Sequence, residues 1–251
     1  MKVKAVLFDL FNTLVLLEDE DAFYMPALKR LHKYLVGNNI DIAFEDFVRV
    51  YFEVRDKMYE ETRLSLEDPH FKVRIARTLK KFGYSFDQNH PIVQVATDIF
   101  ADEFNRYAMP DEQARPVLKA LHGKFKLGII SNLSIPESGM QLVEKFGLAD
   151  YLDVIVISGA INKRKPSPDI FNKALDSLNV KPEEAVFVGD TPGIDIKGAK
   201  AVGFKTILID RPSPPKSTES LSYEIPGARE KVTPDFTVKN LKEIIRIVED
   251  C

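Results

Sequence analysis

The sequence predicts an α/β fold, a parallel sheet whose chain is interrupted after the first strand by a helical insertion. Three observations lead to this prediction. Residues 3–9 form an apolar run of strand length, residues 17–108 carry helical periodicity, and strand-like and helical segments then alternate. Such alternation is typical of right-handed βαβ units. A length of 251 residues fits a large core with a smaller insertion.

The first strand ends in an acidic residue. The run Ala5-Val6-Leu7-Phe8 has the composition of a strand buried on both faces, and Asp9 follows it directly. In an open α/β sheet the carboxyl ends of the strands line the ligand crevice. Asp9 therefore either caps the following turn, as aspartate readily does, or is a reactive group. The motifs farther along the chain favour the reactive group.

The insertion is predicted to be a bundle of helices. Its apolar residues recur at helical spacing in four stripes. The stripes comprise Leu28, Leu31 and Leu35; Phe44, Phe47, Val48, Tyr51, Phe52, Met58 and Tyr59; Phe71, Ile75, Leu79 and Phe82; and Ile92, Ala96, Ile99, Phe100, Phe104 and Tyr107. We expect these stripes to form a core rather than a ligand site. The insertion then covers residues 17–108, and residues 1–16 and 109–251 form the sheet domain.

The second half of the chain predicts the rest of the sheet. Strands are expected at 125–131, 154–158, 185–190 and 205–210, and helices at about 136–146, 168–179, 192–202 and 241–248. Residues 211–232 are rich in Pro, Ser and charged residues, and they are too long for an ordinary connection. We predict that this segment forms a surface excursion.

Composition and charge exclude several classes of partner and site. The formal net charge is -3, and the scattered Lys and Arg residues argue against a nucleic-acid-binding surface. Cys251 is the only cysteine, which excludes an intrachain disulfide and a cysteine-based metal cluster. The apolar N-terminal run is interrupted by Asp9 and is too short to span a bilayer. We therefore expect a cytoplasmic protein without nucleic-acid or membrane partners. The sequence has no feature that indicates its oligomeric state.

Three further motifs place polar residues at or just after strand ends. Ser131 and Asn132 end one predicted strand, Lys165 precedes a helix within a Pro-flanked run, and Asp190 and Asp195 follow another strand. Taken singly, the serine is explained as a helix cap and the lysine as a solvated surface residue. Two carboxylates five residues apart at a strand end suit a hard cation such as Mg²⁺, which prefers oxygen ligands.

The order of these motifs resembles that of the haloacid dehalogenase superfamily. The shared order is a strand ending in Asp, a helical insertion, a strand ending in Ser, Lys-Pro before a helix, and a strand ending in Gly-Asp-x4-Asp. The resemblance covers nearly the whole chain, and residues 211–232 are the least typical part. It implies a Rossmann-like core with an α-helical cap inserted after the first strand. It also implies a covalent mechanism in which an Asp carboxylate attacks phosphorus or carbon, followed by hydrolysis.

The resemblance assigns catalytic and substrate-binding roles to four residues. Asp9 matches the nucleophile, and Ser131 would hydrogen-bond an oxygen of the transferring phosphoryl group with the backbone amide of Asn132. Lys165 would offset negative charge on both nucleophile and substrate. These roles agree with the physics of phosphoryl transfer, which consists mostly of positioning and charge neutralisation.

The same resemblance implies a Mg²⁺ site. Asp190 would bind the ion beside Asp9 and the backbone carbonyl of Phe11, and Asp195 would bind it directly or through water. A carboxylate nucleophile can approach an anionic phosphate only when cations cancel the repulsion between them. A metal site therefore favours phosphate chemistry.

One position departs from the phosphatases of the superfamily. Most of them carry a second Asp two residues after the nucleophile, where it protonates the leaving group, and here that residue is Phe11. General acid–base assistance typically contributes about 10²–10⁴-fold. Without it the enzyme is expected to be slow or restricted to good leaving groups, unless a residue of the cap replaces the acid. The titratable candidates in the cap are Tyr24, Lys57, Tyr59 and His70.

Three functions remain open from the sequence. The first is a Mg²⁺-dependent phosphomonoesterase acting on a small phosphorylated metabolite through an aspartyl-phosphate. The second is a 2-haloacid dehalogenase, because that branch often has an aromatic residue two places after the nucleophile and needs no metal. Dehalogenases usually carry Ser-Asn where this chain has Gly189-Asp190, and they hold the substrate carboxylate with a cap Arg. The cap arginines considered for that role are Arg30, Arg49, Arg55 and Arg63. The third function is a weakly active phosphate-binding or regulatory protein.

Overall fold

A six-stranded parallel sheet lies at the centre of the protein. The structure is a computed structural model that describes residues 2–17, 22–211, 225, 227–228 and 230–250. The strands in chain order are β1 (Ala5–Phe8), β2 (Val15–Leu17), β3 (Ala108–Pro110), β4 (Lys126–Ser131), β5 (Val154–Ile157), β6 (Ala185–Gly189), β7 (Lys205–Ile209) and β8 (Phe236–Val238). The sheet has the order β5-β4-β1-β6-β7-β8, and all its pairings are parallel. The predicted α/β fold is confirmed.

Helices cover both faces of this sheet. They are α1 (Tyr24–Gly37), α2 (Phe44–Glu61), α3 (Phe71–Lys81), α4 (Pro91–Phe104), α5 (Ala114–Leu121), α6 (Pro136–Lys145), α7 (Ser158–Ile161), α8 (Pro168–Leu178), α9 (Lys197–Val202) and α10 (Lys242–Asp250). Val6 and Phe8 of β1 join an apolar cluster with α5, α6 and α10. Ala5 and Leu7 join a second cluster with α8 and α9. Alternate residues of β1 thus enter different cores, which explains why its sequence is apolar throughout.

The inserted segment contains α1 to α4, as the helical periodicity predicts. Its aromatic residues pack together: the ring centroids of Phe71 and Phe100 are 4.4 Å apart, and those of Phe23 and Phe104 are 4.8 Å apart. At the two ends of the insertion, β2 and β3 pair antiparallel. Neither strand was predicted from the sequence, because each has only three residues. The domain boundaries at residues 17 and 108 remain a prediction.

Several other elements differ from the expectation. Strand β8 and helix α5 were not predicted, and the expected helix at 192–202 consists of a π-helical turn, Pro192–Ile196, followed by α9. The predicted excursion at 211–232 lies largely outside the described residues. Two of its described residues contact the π-helical turn and α9: Gly193 N donates to Ala228 O at 3.0 Å, and Lys197 pairs with Glu230 at 2.5 Å.

Candidate active site

Three neighbouring strands bring the predicted nucleophile and its companions to one edge of the sheet. Asp9 follows β1, Ser131 ends β4, and Asp190 follows β6, and β1 lies between the other two strands. Because parallel strands end at the same edge, residues from distant parts of the sequence become neighbours. Asp9 N continues the ladder by donating to Val188 O at 2.8 Å, which fixes its backbone against β6.

Lys165 lies between two carboxylates. Its Nζ is 2.5 Å from Asp9 Oδ1 and 2.7 Å from Asp195 Oδ1, and the side chain is fully buried. The side-chain amide of Asn132 holds the lysine backbone from both sides. Lys165 N donates to Asn132 Oδ1 at 2.8 Å, and Asn132 Nδ2 donates to Lys165 O at 3.1 Å. The Asn132 side chain thus positions the lysine, while its backbone amide was the group predicted to bind substrate.

The three predicted acidic ligands form one cluster. Carboxylate oxygens of Asp9, Asp190 and Asp195 all lie within 4.8 Å of one another. Asp195 Oδ2 accepts from the backbone amides of Asp190 at 3.1 Å and Thr191 at 3.0 Å, which fixes the loop after β6. A Cβ atom on Gly189 would lie 2.5 Å from Asp195 Cγ, so only glycine permits this approach.

The electrostatics of the cluster favour a cation. Burial raises the pKa of the Asp9 carboxyl to about 6, with Lys165 opposing and Asp195 adding to the rise. Burial also raises the pKa of Asp190 well above its ordinary value. For Lys165, burial works against the charged form, but Asp195 and Asp9 raise the pKa above its usual range. One ammonium faces three carboxylates, and an all-oxygen donor set with excess negative charge fits a hard divalent cation.

Phe11 donates no side-chain ligand to this cluster. Its ring packs edge-on against Phe104 of α4, with the centroids 5.4 Å apart. Phe11 is also among the residues that line a cavity under the inserted helices. The predicted use of its backbone carbonyl as a metal ligand remains a prediction. Of the four metal-site residues proposed from the sequence, the structure therefore brings three side chains together: Asp9, Asp190 and Asp195.

Ser131 carries a buried hydroxyl at the end of β4. Its Oγ is inaccessible to solvent and has no hydrogen-bond partner among the described residues. An unsatisfied buried hydroxyl costs about 1–3 kcal/mol, so such groups persist where a ligand completes them. This environment agrees with the predicted contact to a phosphoryl oxygen and differs from the helix-cap explanation. The structure assigns the hydroxyl no N-cap hydrogen bond to α6.

A cavity of about 260 Å³ lies between the inserted helices and this edge of the sheet. Tyr24 and Tyr59, two of the predicted proton donors, line it. The other two candidates do not. Lys57 is exposed on α2, and His70 caps α3 and lies 3.0 Å from Glu137, so neither is among the residues that line the cavity.

The cavity also holds charged residues that the sequence analysis missed. They are Asp68, Arg74 and Arg164. None of the four cap arginines considered for carboxylate binding belongs to the described residues that line it. Arg74 occupies a helical position between apolar residues, and Arg164 directly precedes Lys165. The one sequence signal for Arg164 was its place beside Lys165, the lysine predicted to be catalytic.

A family model of haloacid dehalogenase-like hydrolases matches residues 3–203. The chain belongs to this family. It resembles the glyceraldehyde 3-phosphate phosphatase of Methanopyrus kandleri, with 26% identity over 80% of this chain and 97% of the relative. It is 29% identical to the phosphoserine phosphatase of Thermus thermophilus over 59% of this chain, and the match spans 54% of that relative's length. The chain is thus a haloacid dehalogenase-like hydrolase with phosphatases among its relatives.

Solved structures of the family include both chemistries. A 2-haloacid dehalogenase from Pseudomonas syringae superposes with a TM-score of 0.69 at 25% identity, covering 99% of both chains. A phosphatase of the haloacid dehalogenase family from Thermococcus onnurineus superposes with a TM-score of 0.60 at 25% identity, covering 98% of both. No helix in the described part of the chain is long and apolar enough to cross a membrane.

Proposed function

We propose that this hydrolase is a Mg²⁺-dependent phosphomonoesterase that acts on a small phosphorylated metabolite through an aspartyl-phosphate. The main observation that supports this proposal is that carboxylate oxygens of Asp190, Asp9 and Asp195 lie close together. Halide displacement at carbon gives this acidic cluster no evident task, whereas an anionic phosphate needs cations near the nucleophile. The small cavity and the names of the relatives support a small phosphate ester as substrate. We place the activity in the cytoplasm, which suits the lack of disulfide chemistry.

The proposed reaction has two steps. A carboxylate oxygen of Asp9 forms a bond to phosphorus while the bond from phosphorus to the ester oxygen breaks, and the leaving group departs as an alkoxide or phenolate that takes a proton from water. Water then attacks the aspartyl-phosphate, which releases inorganic phosphate and restores the carboxylate. Lys165 holds Asp9 in place and offsets charge on the phosphoryl group, and Ser131 with the backbone amide of Asn132 binds its oxygens.

The metal would be held by Asp9, Asp190 and the carbonyl of Phe11. Both oxygens of Asp195 already have partners, in Lys165 and in two backbone amides, so we propose that it supports the site or contacts the ion through water. Bound Mg²⁺ would neutralise charge between nucleophile and phosphate. Helices α1 to α4 are proposed to act as the cap that encloses the leaving portion of the substrate.

Phe11 keeps 2-haloacid dehalogenase as a second candidate. An aromatic residue at this position and the structural likeness to a 2-haloacid dehalogenase favour it. Displacement of halide from carbon needs neither a proton donor nor a metal. Metal dependence therefore separates the two candidates, and tight binding of phosphate esters without hydrolysis would instead identify a regulatory protein.

Removal of the metal should stop phosphate-ester hydrolysis. We expect no turnover in a chelator, recovery on adding Mg²⁺, and loss of activity in Asp190→Ala, because the phosphate charge then lacks its counter-ion. Mg²⁺ should also raise the melting temperature of the wild type and not that of Asp190→Ala. Asp210→Ala removes an exposed carboxylate after β7 and serves as the matched control. Undiminished halide release from a 2-haloacid in chelator, with phosphate esters inert, would establish the dehalogenase.

Esters with acidic leaving groups should react faster than alkyl esters. Phe11 cannot protonate the departing oxygen, so we expect aryl phosphates to exceed alkyl phosphates in kcat by about 10²-fold or more. Phe11→Asp should reduce the ratio of the two kcat values. Phe11→Asn should leave the ratio unchanged, because asparagine matches aspartate in size but has no proton to transfer. Equal kcat values for both ester classes in the wild type, with chemistry rate-limiting, would show that another group supplies the proton. Tyr24 and Tyr59 would then be tested first.

A further inference from the structure

Two buried arginines line the cavity that lies next to the candidate active site. Arg74 comes from α3, and Arg164 comes from the loop that leads directly into Lys165. Their exposed fractions are 7% and 4%, and both line the cavity. Arginine is rarely buried without a partner because moving its charge out of water is costly. Their presence in one cavity therefore requires a reason.

Arg74 makes a hydrogen bond through one terminal nitrogen of its guanidinium, Nη1. Its Nη1 donates to Tyr51 Oη at 3.2 Å, and its plane lies over the ring of Phe71, with 5.2 Å from Cζ to the centroid. Its Nε is buried and has no partner among the described residues. Nε and its neighbouring Nη2 are the pair of donors with which arginine binds an anion in bidentate fashion.

Arg164 is held through both terminal nitrogens of its guanidinium. Nη1 donates to Thr62 Oγ1 at 2.9 Å and to Glu67 O, and Nη2 donates to Thr62 O at 3.1 Å. These bonds fix the guanidinium, and its buried Nε is also without a partner in the described part of the chain. Each arginine thus has a fixed orientation and one unsatisfied buried donor.

The described residues do not balance the positive charge. Asp68 is the one acidic residue among those that line the cavity, and its Oδ2 accepts from Ser158 Oγ at 2.5 Å. Within the described ranges, neither arginine lies within ion-pair distance of a carboxylate. Burial raises the pKa of Asp68, with the Ser158 hydrogen bond and both arginines opposing that rise. Even with Asp68 ionised, two cations and one anion line the same cavity.

Most of the other residues that line the cavity are apolar or aromatic, and the cavity extends to residues next to the reaction site. Phe11 and Asn132, which lie close in sequence to Asp9 and Ser131, line the same cavity as the arginines. Its volume of about 260 Å³ is slightly below the range of about 300–1,000 Å³ that is usual for small-molecule pockets. A ligand whose phosphate reaches Asp9 would therefore extend its leaving portion toward Arg74 and Arg164 over a short distance.

We propose that Arg74 and Arg164 bind a second anionic group, a carboxylate or a phosphate, on the leaving portion of the substrate. This inference rests on the proposed phosphatase function and specifies its substrate class as small dianionic phosphate esters with a distal anion. Arg74 belongs to the inserted helices, and Arg164 belongs to the loop before Lys165. The distal anion therefore contacts both the inserted helices and the sheet domain. The chain thereby selects substrates by charge at the end remote from the reacting phosphorus.

The first test compares matched esters. Phosphate esters of hydroxycarboxylic acids with two, three and four carbons are compared with alcohol phosphates and with bisphosphates of equal chain length. We expect kcat/KM to favour at least one anionic series by about 10- to 100-fold over the neutral series, as charge-assisted hydrogen bonds allow. Arg74→Gln should abolish this preference, and Arg74→Lys should restore it only in part. Arg77→Gln, an exposed position on the same helix, is the control that should keep it.

A binding measurement keeps this inference separate from the proposed function. Calorimetric titration with phosphonocarboxylates and alkylphosphonates in the presence of Mg²⁺ requires no turnover. We expect the carboxylate to strengthen binding by at least about tenfold in the wild type and not in Arg74→Gln. Two results would overturn the inference without contradicting the proposed phosphatase function. One is hydrolysis of all esters at similar kcat/KM, and the other is equal binding of phosphonocarboxylates, alkylphosphonates and bisphosphonates. Inert esters with charge-selective binding would overturn the phosphatase alone.

Discussion

Asp9→Asn should lower phosphate-ester turnover by about 10⁴-fold or more, because the amide cannot form the bond to phosphorus. Asparagine has nearly the same size, and the backbone bond from residue 9 to Val188 O does not depend on the side chain. We therefore expect an unchanged circular dichroism spectrum and cooperative unfolding. Steady-state kinetics on an aryl phosphate measures the loss.

The matched control for this substitution is Asp102→Asn. Asp102 is an exposed carboxylate on α4, remote from the acidic cluster, and its replacement should leave kcat and KM unchanged. An Asp9→Asn variant that retains most of its activity, after deamidation has been excluded by mass spectrometry, would refute attack by Asp9.

Lys165→Met should reduce turnover by about 10³-fold or more and should also destabilise the protein. The ammonium holds Asp9 and Asp195 at 2.5 Å and 2.7 Å, and methionine fills a similar volume without the charge. Removing one partner of a buried ion pair costs about 3–5 kcal/mol. We expect a loss of this order in the free energy of unfolding near neutral pH, measured by urea denaturation without Mg²⁺.

The destabilisation should depend on pH. Loss of the lysine removes the cation that lowers the pKa values of Asp9 and Asp190. The folded-state pKa values of these two buried carboxyls then rise further above their unfolded values, so stability falls as pH rises. The difference between wild type and Lys165→Met should be smaller near about pH 5 than near about pH 8. Lys173→Met, at an exposed position of α8, should show no loss at either pH; a pH-independent deficit in Lys165→Met would indicate lost packing instead.

The fold was predictable where the sequence pattern was long and uniform. β1 and β6 are buried on both sides and read as continuous apolar runs, and the stripes of α2 and α4 continue for several turns. β8 escaped prediction because two of its three residues are exposed and it forms the sheet edge. β2 and β3 are equally short, and their pairing joins positions far apart in sequence.

The candidate site was predictable to the extent that strand ends determine position. Asp9, Ser131 and Asp190 follow from the parallel sheet, and Lys165 from its place before α8. Arg74 was not found, because a charged residue on a helix is usually solvated and only tertiary packing turns it inward. Lys57 and His70 show the opposite error. They are titratable residues of the inserted segment and were candidates from the sequence, but neither lines the cavity.

Mass spectrometry of the acid-quenched enzyme tests the central claim most directly. The enzyme is mixed with Mg²⁺ and an aryl phosphate, quenched within one turnover, digested, and the peptide containing Asp9 is weighed. Our account predicts that this peptide gains the mass of one phosphoryl group, and that the gain is absent in chelator and in Asp9→Asn. Turnover of the ester with no covalent phosphate at Asp9, or with the phosphoryl group on another residue, would contradict it.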